Sequence, residues 1–138
     1  MCMTISEHDA AQIACANASG LTPAVFVHGL WLLPSSWDRW AALFEEAGYT
    51  ALTPGWPDDP ATVDEAKAHP EVFAGKSVGD VADHFGAVIG KLDRKPAVIG
   101  HSFGGLIAQI PGRGHALTID SGWREVADTA LAFVRRFA

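Results

Sequence analysis

The segment Pro96-Ala97-Val98-Ile99-Gly100-His101-Ser102-Phe103-Gly104-Gly105 decides the fold. Residues 96–99 form a short apolar, β-branched run of the kind that fills a buried strand. A G-x-S-x-G pattern follows at once, and Leu106, Ile107 and Ile110 then continue at helical spacing until Pro111-Gly112. A serine on so sharp a strand-to-helix turn needs small neighbours, because bulky ones would clash with the strained backbone. The turn lifts Oγ clear of the sheet. The new helix offers unpaired N–H groups and the positive end of its dipole to a developing negative charge. The plain alternative is a glycine-rich turn with a capping serine; strand before and helix after outweigh it.

The rest of the chain repeats the alternation. Ala24-Val25-Phe26-Val27 reads as a strand buried on both faces, stopped by His28-Gly29. A helix capped by Ser35 or Ser36 follows, with Asp38 in its first turn, Trp37, Trp40, Phe44 and Ala47 on one face, and Gly48 as its stop. Residues 49–53 read as a second strand. Pro54, Pro57, Pro60 and Pro70 exclude a long helix from 54–76, leaving room for two turns over 61–68 started by Pro60. Ser77 and Asp80 have capping-box spacing, and Val78, Val81, Phe85, Val88 and Ile89 line one face of the helix they open, through Lys91. Trp123, Val126, Ala127, Ala130, Phe133, Val134 and Phe137 give the last helix its apolar stripe from Ser121 onward, with Asp120 in its cap. A short helix over residues 7–17 rests on weaker spacing. Alternating strands and helices predict an α/β protein with a short parallel sheet flanked by helices.

Composition excludes several classes. The chain has 138 residues, 49% of them hydrophobic and 19% charged, which is one soluble domain. Ten Lys and Arg against sixteen Asp and Glu give a net charge of −6, with no basic cluster, so no nucleic-acid partner is expected. No apolar run approaches a membrane span, and the N-terminus lacks the basic flank and apolar core of a signal peptide. A cytoplasmic enzyme is expected. Cys2 and Cys15 have neither C-x-x-C nor metal spacing. No histidine pair has metal-ligand spacing, so neither metal nor cofactor is expected. His8, His69 and His84 read as solvated, His101 as packed, and Trp37 and Trp40 as core.

Three segments together carry a resemblance: Val27-His28-Gly29-Leu30-Trp31, then Val98-Ile99-Gly100-His101-Ser102-Phe103-Gly104-Gly105, then Gly112-Arg113-Gly114-His115-Ala116. The chain resembles the α/β-hydrolase family, in its serine esterase, lipase and haloperoxidase-like branch. The resemblance implies that Ser102 is the nucleophile and His115 the general base. It implies an oxyanion hole from the backbone N–H groups of Phe103 and Leu30, with Trp31 the next candidate. His28, Gly29 and Trp31 lie at the end of the first strand and are candidates for the substrate pocket. The expected substrate is a small apolar carboxylic ester.

One part of the pattern is absent. The family order is Ser, then Asp or Glu, then His. Residues 103–114 separate Ser102 from His115 and none is acidic. We therefore expect a single shortened domain without a lid: a 1–22 extension, the first half of the fold over 23–110, and the histidine loop with the last helix joined directly over 111–138. Asp58 and Asp59 are the weak candidates for a substitute acid; two solvated loop carboxylates are the plainer reading. An uncovered strand edge predicts a homo-oligomer or domain-swapped dimer. Losing the acid predicts weakened esterase activity. The alternative function is an inactive shortened hydrolase that acts only as a folding or oligomerisation unit.

Overall fold

The computed structural model describes residues 5–102 and 121–137. Its centre is a three-stranded parallel sheet in the order β2-β1-β3, with β1 over Pro23–Val27, β2 over Thr50–Leu52 and β3 over Ala97–Gly100. Val25 pairs with Leu52 on one side of β1 and with Val98 on the other. Every residue of β1 is buried. Side chains alternate across a strand, so both faces of β1 need a cover.

Ala24 and Phe26 face a cluster built from Trp37, Trp40, Leu43, Phe44, Ile99, Val126, Ala127, Leu131 and Val134. These residues come chiefly from α2 (Asp38–Glu46) and α5 (Trp123–Arg135). Phe26 is the hub, with its ring 5.0 Å from Trp37 and 5.1 Å from Phe44 between centroids. Rings at that distance attract through their quadrupoles as well as by excluding water. Val25 and Val27 face the opposite cluster with Leu52, Ile13, Ala16, Phe85 and Val88. There the helices are α1 (Glu7–Ser19) and α4 (Val78–Ile89). The layers are therefore helix, sheet, helix.

Local chemistry explains most boundaries. Ser6 accepts a hydrogen bond from the Asp9 N–H to start α1, and Gly20 at φ 66° ends it. The Gln12 side chain receives the Thr53 N–H at 2.8 Å and donates to Thr53 Oγ1, while Asn17 bridges to Lys91 and Asp93. The weakly patterned first helix is thus tied to both ends of its sheet face by amides. Ser77 and Asp80 form the expected capping box on α4. The Ser77 N–H and hydroxyl hold the Asp80 carboxyl below its ordinary value of 3.8.

Several boundaries differ from the sequence reading. Neither Ser35 nor Ser36 caps α2: a 3-10 turn over Pro34–Trp37 leads straight into it, with no side-chain cap. Pro60 does not open the short helix α3 (Val63–Ala68); Thr62 caps it by accepting the Glu65 N–H. His84 is buried beside Asp9, with Nε2 3.4 Å from Oδ2, rather than solvated. Phe133 and Phe137 stay exposed and pack on each other, while Leu131 takes the core position. Each helical residue turns the face by about 100°, so a phenylalanine beside buried Val134 points away from the sheet. The segment after Ser102, with Asp120 and the 110–114 junction, lies outside the described residues.

Candidate active site

Parallel strands bring their C-terminal ends to one edge, which is where the site is built. β3 ends at Gly100, and the His101 N–H donates to the Val27 carbonyl at 3.1 Å, so the turn stays laced to β1 beyond the last ladder pair. His101 is buried, as expected of a packing residue. Ser102 follows at φ 56°, in the left-handed region that non-glycine residues avoid. Such a backbone costs on the order of 1–3 kcal/mol and persists only where its surroundings enforce it. Here part of the enforcement is Gly29. A Cβ on Gly29 would lie 2.9 Å from both the His101 carbonyl oxygen and Ser102 Cβ. The loop after β1 therefore rests directly on the serine, and only glycine fits at that contact.

The same loop is held from its other side. His28 is buried, with Nδ1 donating to the Gly29 carbonyl at 2.9 Å and Nε2 2.7 Å from Asp59 Oδ2. The Trp56 N–H donates to the same Asp59 oxygen at 2.7 Å, and Trp56 Nε1 donates to the His28 carbonyl at 3.0 Å. The Trp56 and His28 rings stack, 5.6 Å apart and 14° from parallel. Both nitrogens of His28 are thus committed, one to Gly29 and one to Asp59, and neither is free to take a proton from Ser102.

Beyond His28 the chain turns back. Leu32 N–H donates to the Gly29 carbonyl, and Trp31 takes the third position of the turn at φ 67°. Glycine is usual at that position in turns of this kind. Trp31 is 97% exposed, and Leu30 is exposed beside it. The backbone N–H groups of Leu30 and Trp31 have no partner among the described residues.

Of the two acidic candidates, Asp59 is engaged with His28 and Trp56. Asp58, at φ 64°, is 78% exposed at its side chain and lies 3.6 Å from Lys76. Phe103 and His115 lie outside the described residues. Among the described residues, no group of three or more His, Cys, Asp and Glu could hold a metal ion, and no helix is long and apolar enough to cross a membrane. Sequence reading missed the part played by Trp56 and the engagement of Asp59. The one available signal was Gly55, whose Cβ would lie 3.1 Å from Asp59 Cβ. A glycine before the Trp56-Pro57-Asp58-Asp59 turn marks a side chain folded back on the backbone.

A model of the alpha/beta hydrolase family matches residues 24–138. No curated protein matches the chain, and no solved structure does. The family match spans the sheet, the loop after β1, Ser102 and the last helix, and the three parallel strands carry the strained serine at the edge where such a fold places its chemistry: the chain belongs to the alpha/beta hydrolase family.

Proposed function

We propose that the protein is a serine hydrolase of carboxylic esters. The observation that carries this is Ser102 itself, held in left-handed backbone at the end of β3 with Gly29 packed against its Cβ. In this reading Ser102 Oγ attacks the ester carbonyl carbon while His115 takes its proton. The carbonyl oxygen gains a full charge and is met by the N–H groups of Leu30 and Phe103. The ester C–O bond breaks, His115 returns the proton to the leaving alkoxide, and water repeats the sequence on the acyl-serine. That the Leu30 N–H is not used inside its turn supports its part. Exposed Trp31, beside Leu30, supports an apolar acyl or alkyl group on the substrate. His28 and Gly29 belong to the pocket as its floor rather than as proton carriers.

The test is intact-mass labelling with a fluorophosphonate ester on the wild type, Ser102→Ala and His115→Ala. One adduct on the wild type that disappears in both variants is expected. No adduct on folded wild type would refute the reading.

A specific observation favours a second reading, an inactive shortened hydrolase that serves as a folding or oligomerisation unit. Residues 103–114 contain no carboxylate, Asp59 is taken by His28, and Asp58 is turned to solvent beside Lys76. Without an acid the histidine tautomer is unfixed, and in a related triad that loss costs about 10⁴ in turnover. Direct joining of the two halves near residues 110–114 accounts for the missing acid. Among the described residues β3 pairs only with β1, and Val98 on it is exposed, which supports self-association through that edge. Light scattering across a concentration series separates a lone monomer from this assembly.

A further inference from the structure

We propose that Asp59 and Trp56 are positioning residues for the loop that carries the Leu30 and Trp31 N–H groups, a role that rests on reading Ser102 as the nucleophile. Two hydrogen bonds and a ring stack join two loops whose residues lie about 30 apart in the chain, and a third bond, from the Trp56 N–H to Asp59, braces the second loop. Both side chains of the pair are almost fully buried, at 2% and 6% exposure. Burying an imidazole and a carboxylate gains little stability over an apolar pair of the same shape. What the pair supplies is direction: the bond from Asp59 to Nε2 fixes the ring of His28, and the bond from His28 Nδ1 to the Gly29 carbonyl carries that orientation into the next peptide. The Gly29 carbonyl also accepts from Leu32, so it anchors the turn in which Leu30 and Trp31 sit.

The opposite side of the loop cannot do this alone. Gly29 meets the serine turn by contact with the His101 carbonyl and Ser102 Cβ, which limits approach but does not set rotation. Trp31 at φ 67° shows that the turn is held in a conformation its own sequence resists. Released from Asp59 and Trp56, the loop is free to relax that residue, and the N–H groups at 30 and 31 swing with it. Hydrogen-bond donors for an oxyanion act only when held in place before the charge develops. Gly55 fits the same device, since its missing Cβ leaves the room that Asp59 Cβ and Oδ2 occupy.

The experiment measures fluorophosphonate inactivation as a maximal rate and a half-saturation concentration, together with backbone hydrogen exchange over residues 28–33. Four proteins are compared: wild type, Asp59→Ala, Asp59→Asn and Trp56→Phe. Asp59→Ala is expected to lower the maximal rate 10- to 100-fold, the range in which support residues of a site act, while half-saturation stays within about twofold. Exchange over 28–33 rises with it. Asp59→Asn, with its amide oxygen in the place of Oδ2, still accepts from both the Trp56 N–H and His28 Nε2, and restores most of the rate. Trp56→Phe keeps the ring stack, loses only the bond to the His28 carbonyl, and falls between. A rate and exchange unchanged in Asp59→Ala overturn the proposal, and so does equal damage by Asp59→Ala and Asp59→Asn. A loss seen only in half-saturation assigns Asp59 to substrate contact instead. If the wild type takes no adduct, the serine reading falls and the kinetic half with it. Exchange then decides the loop alone, and an unchanged rate of exchange in both Asp59→Ala and Trp56→Phe overturns the anchoring.

Discussion

Replacing Gly29 with alanine adds one methyl group at the contact between the loop after β1 and the serine turn. The new carbon would stand 2.9 Å from the His101 carbonyl oxygen and 2.9 Å from Ser102 Cβ. Comfortable carbon–carbon separation is about 3.5–4.0 Å, so loop and turn must part by roughly 0.6–1 Å. Neither neighbour is a flexible side-chain end. One is backbone, still hydrogen-bonded to β1 through the His101 N–H, and the other is the first carbon of a side chain on strained backbone. Overpacking of this kind costs about 1–3 kcal/mol. For a chain of this length each kcal/mol lowers Tm by about 3–4 °C, so a fall of about 3–12 °C is expected. The chemical effect exceeds the thermal one. With Ser102 as the proposed nucleophile, a displacement near 1 Å from the proposed oxyanion donors costs on the order of 100-fold in rate. Thermal unfolding by circular dichroism and the rate of fluorophosphonate labelling read the two separately. Gly29→Ala with wild-type Tm and wild-type labelling would refute the contact and the positioning reasoning built on it.

Three further outcomes are expected. Trp31→Gly should leave Tm unchanged or raise it, because the side chain is 97% exposed and glycine relieves a left-handed backbone strain of about 1–3 kcal/mol; the same change should narrow the preference for hexanoate over acetate esters, and a fall in Tm would mean that the indole is covered. His84→Phe should destabilise the protein by about 1–3 kcal/mol in urea by leaving the buried Asp9 carboxyl against an apolar ring, and adding Asp9→Leu should recover most of that, whereas no measurable cost would deny the contact. The Asp80 carboxyl is lowered in the folded state by the Ser77 N–H and hydroxyl, so the capping box contributes stability above the ordinary carboxylate value and loses it as pH falls through the folded one. Asp80→Asn should flatten that acid limb in a pH series of unfolding midpoints, and an unaltered limb would assign it to other carboxylates.

Local patterns in the sequence found what depends on neighbours a few residues apart. The apolar run Ala24-Val25-Phe26-Val27 announced burial on both faces, and β1 is buried on both faces. Ser77 and Asp80, three residues apart, announced the capping box that opens α4. What escaped depends on partners far along the chain. His84 follows Asp83 in sequence and reads as solvated, yet its environment is set by Asp9 from another helix. Asp59 reads as one of two loop carboxylates until His28, on a different strand end, is brought against it. Phe133 and Phe137 failed for a third reason: a helical stripe specifies an angle, and the helix presents to the sheet a face centred on Val126, Ala127, Leu131 and Val134.

The support of the site reaches beyond the part of the chain that the family model covers. α1 precedes residue 24, where the match begins, yet Ile13 and Ala16 cover Val25, Val27 and Leu52 on one face of the sheet. With β1 buried on both sides, that face could not be left to α4 alone without exposing apolar surface beside β2. The attachment is polar and specific as well as apolar. Gln12 holds both the N–H and the hydroxyl of Thr53, the residue that follows β2. From Thr53 the chain runs through Pro54 and Gly55 to Trp56, which donates to Asp59 and to the His28 carbonyl. His28 precedes Gly29, and Gly29 meets Ser102. A continuous run of bonded and packed groups thus leads from the N-terminal helix to the serine. Every link lies on the face or the edge of the three strands, so the seat of the strained serine depends on α1 as well as on the sheet.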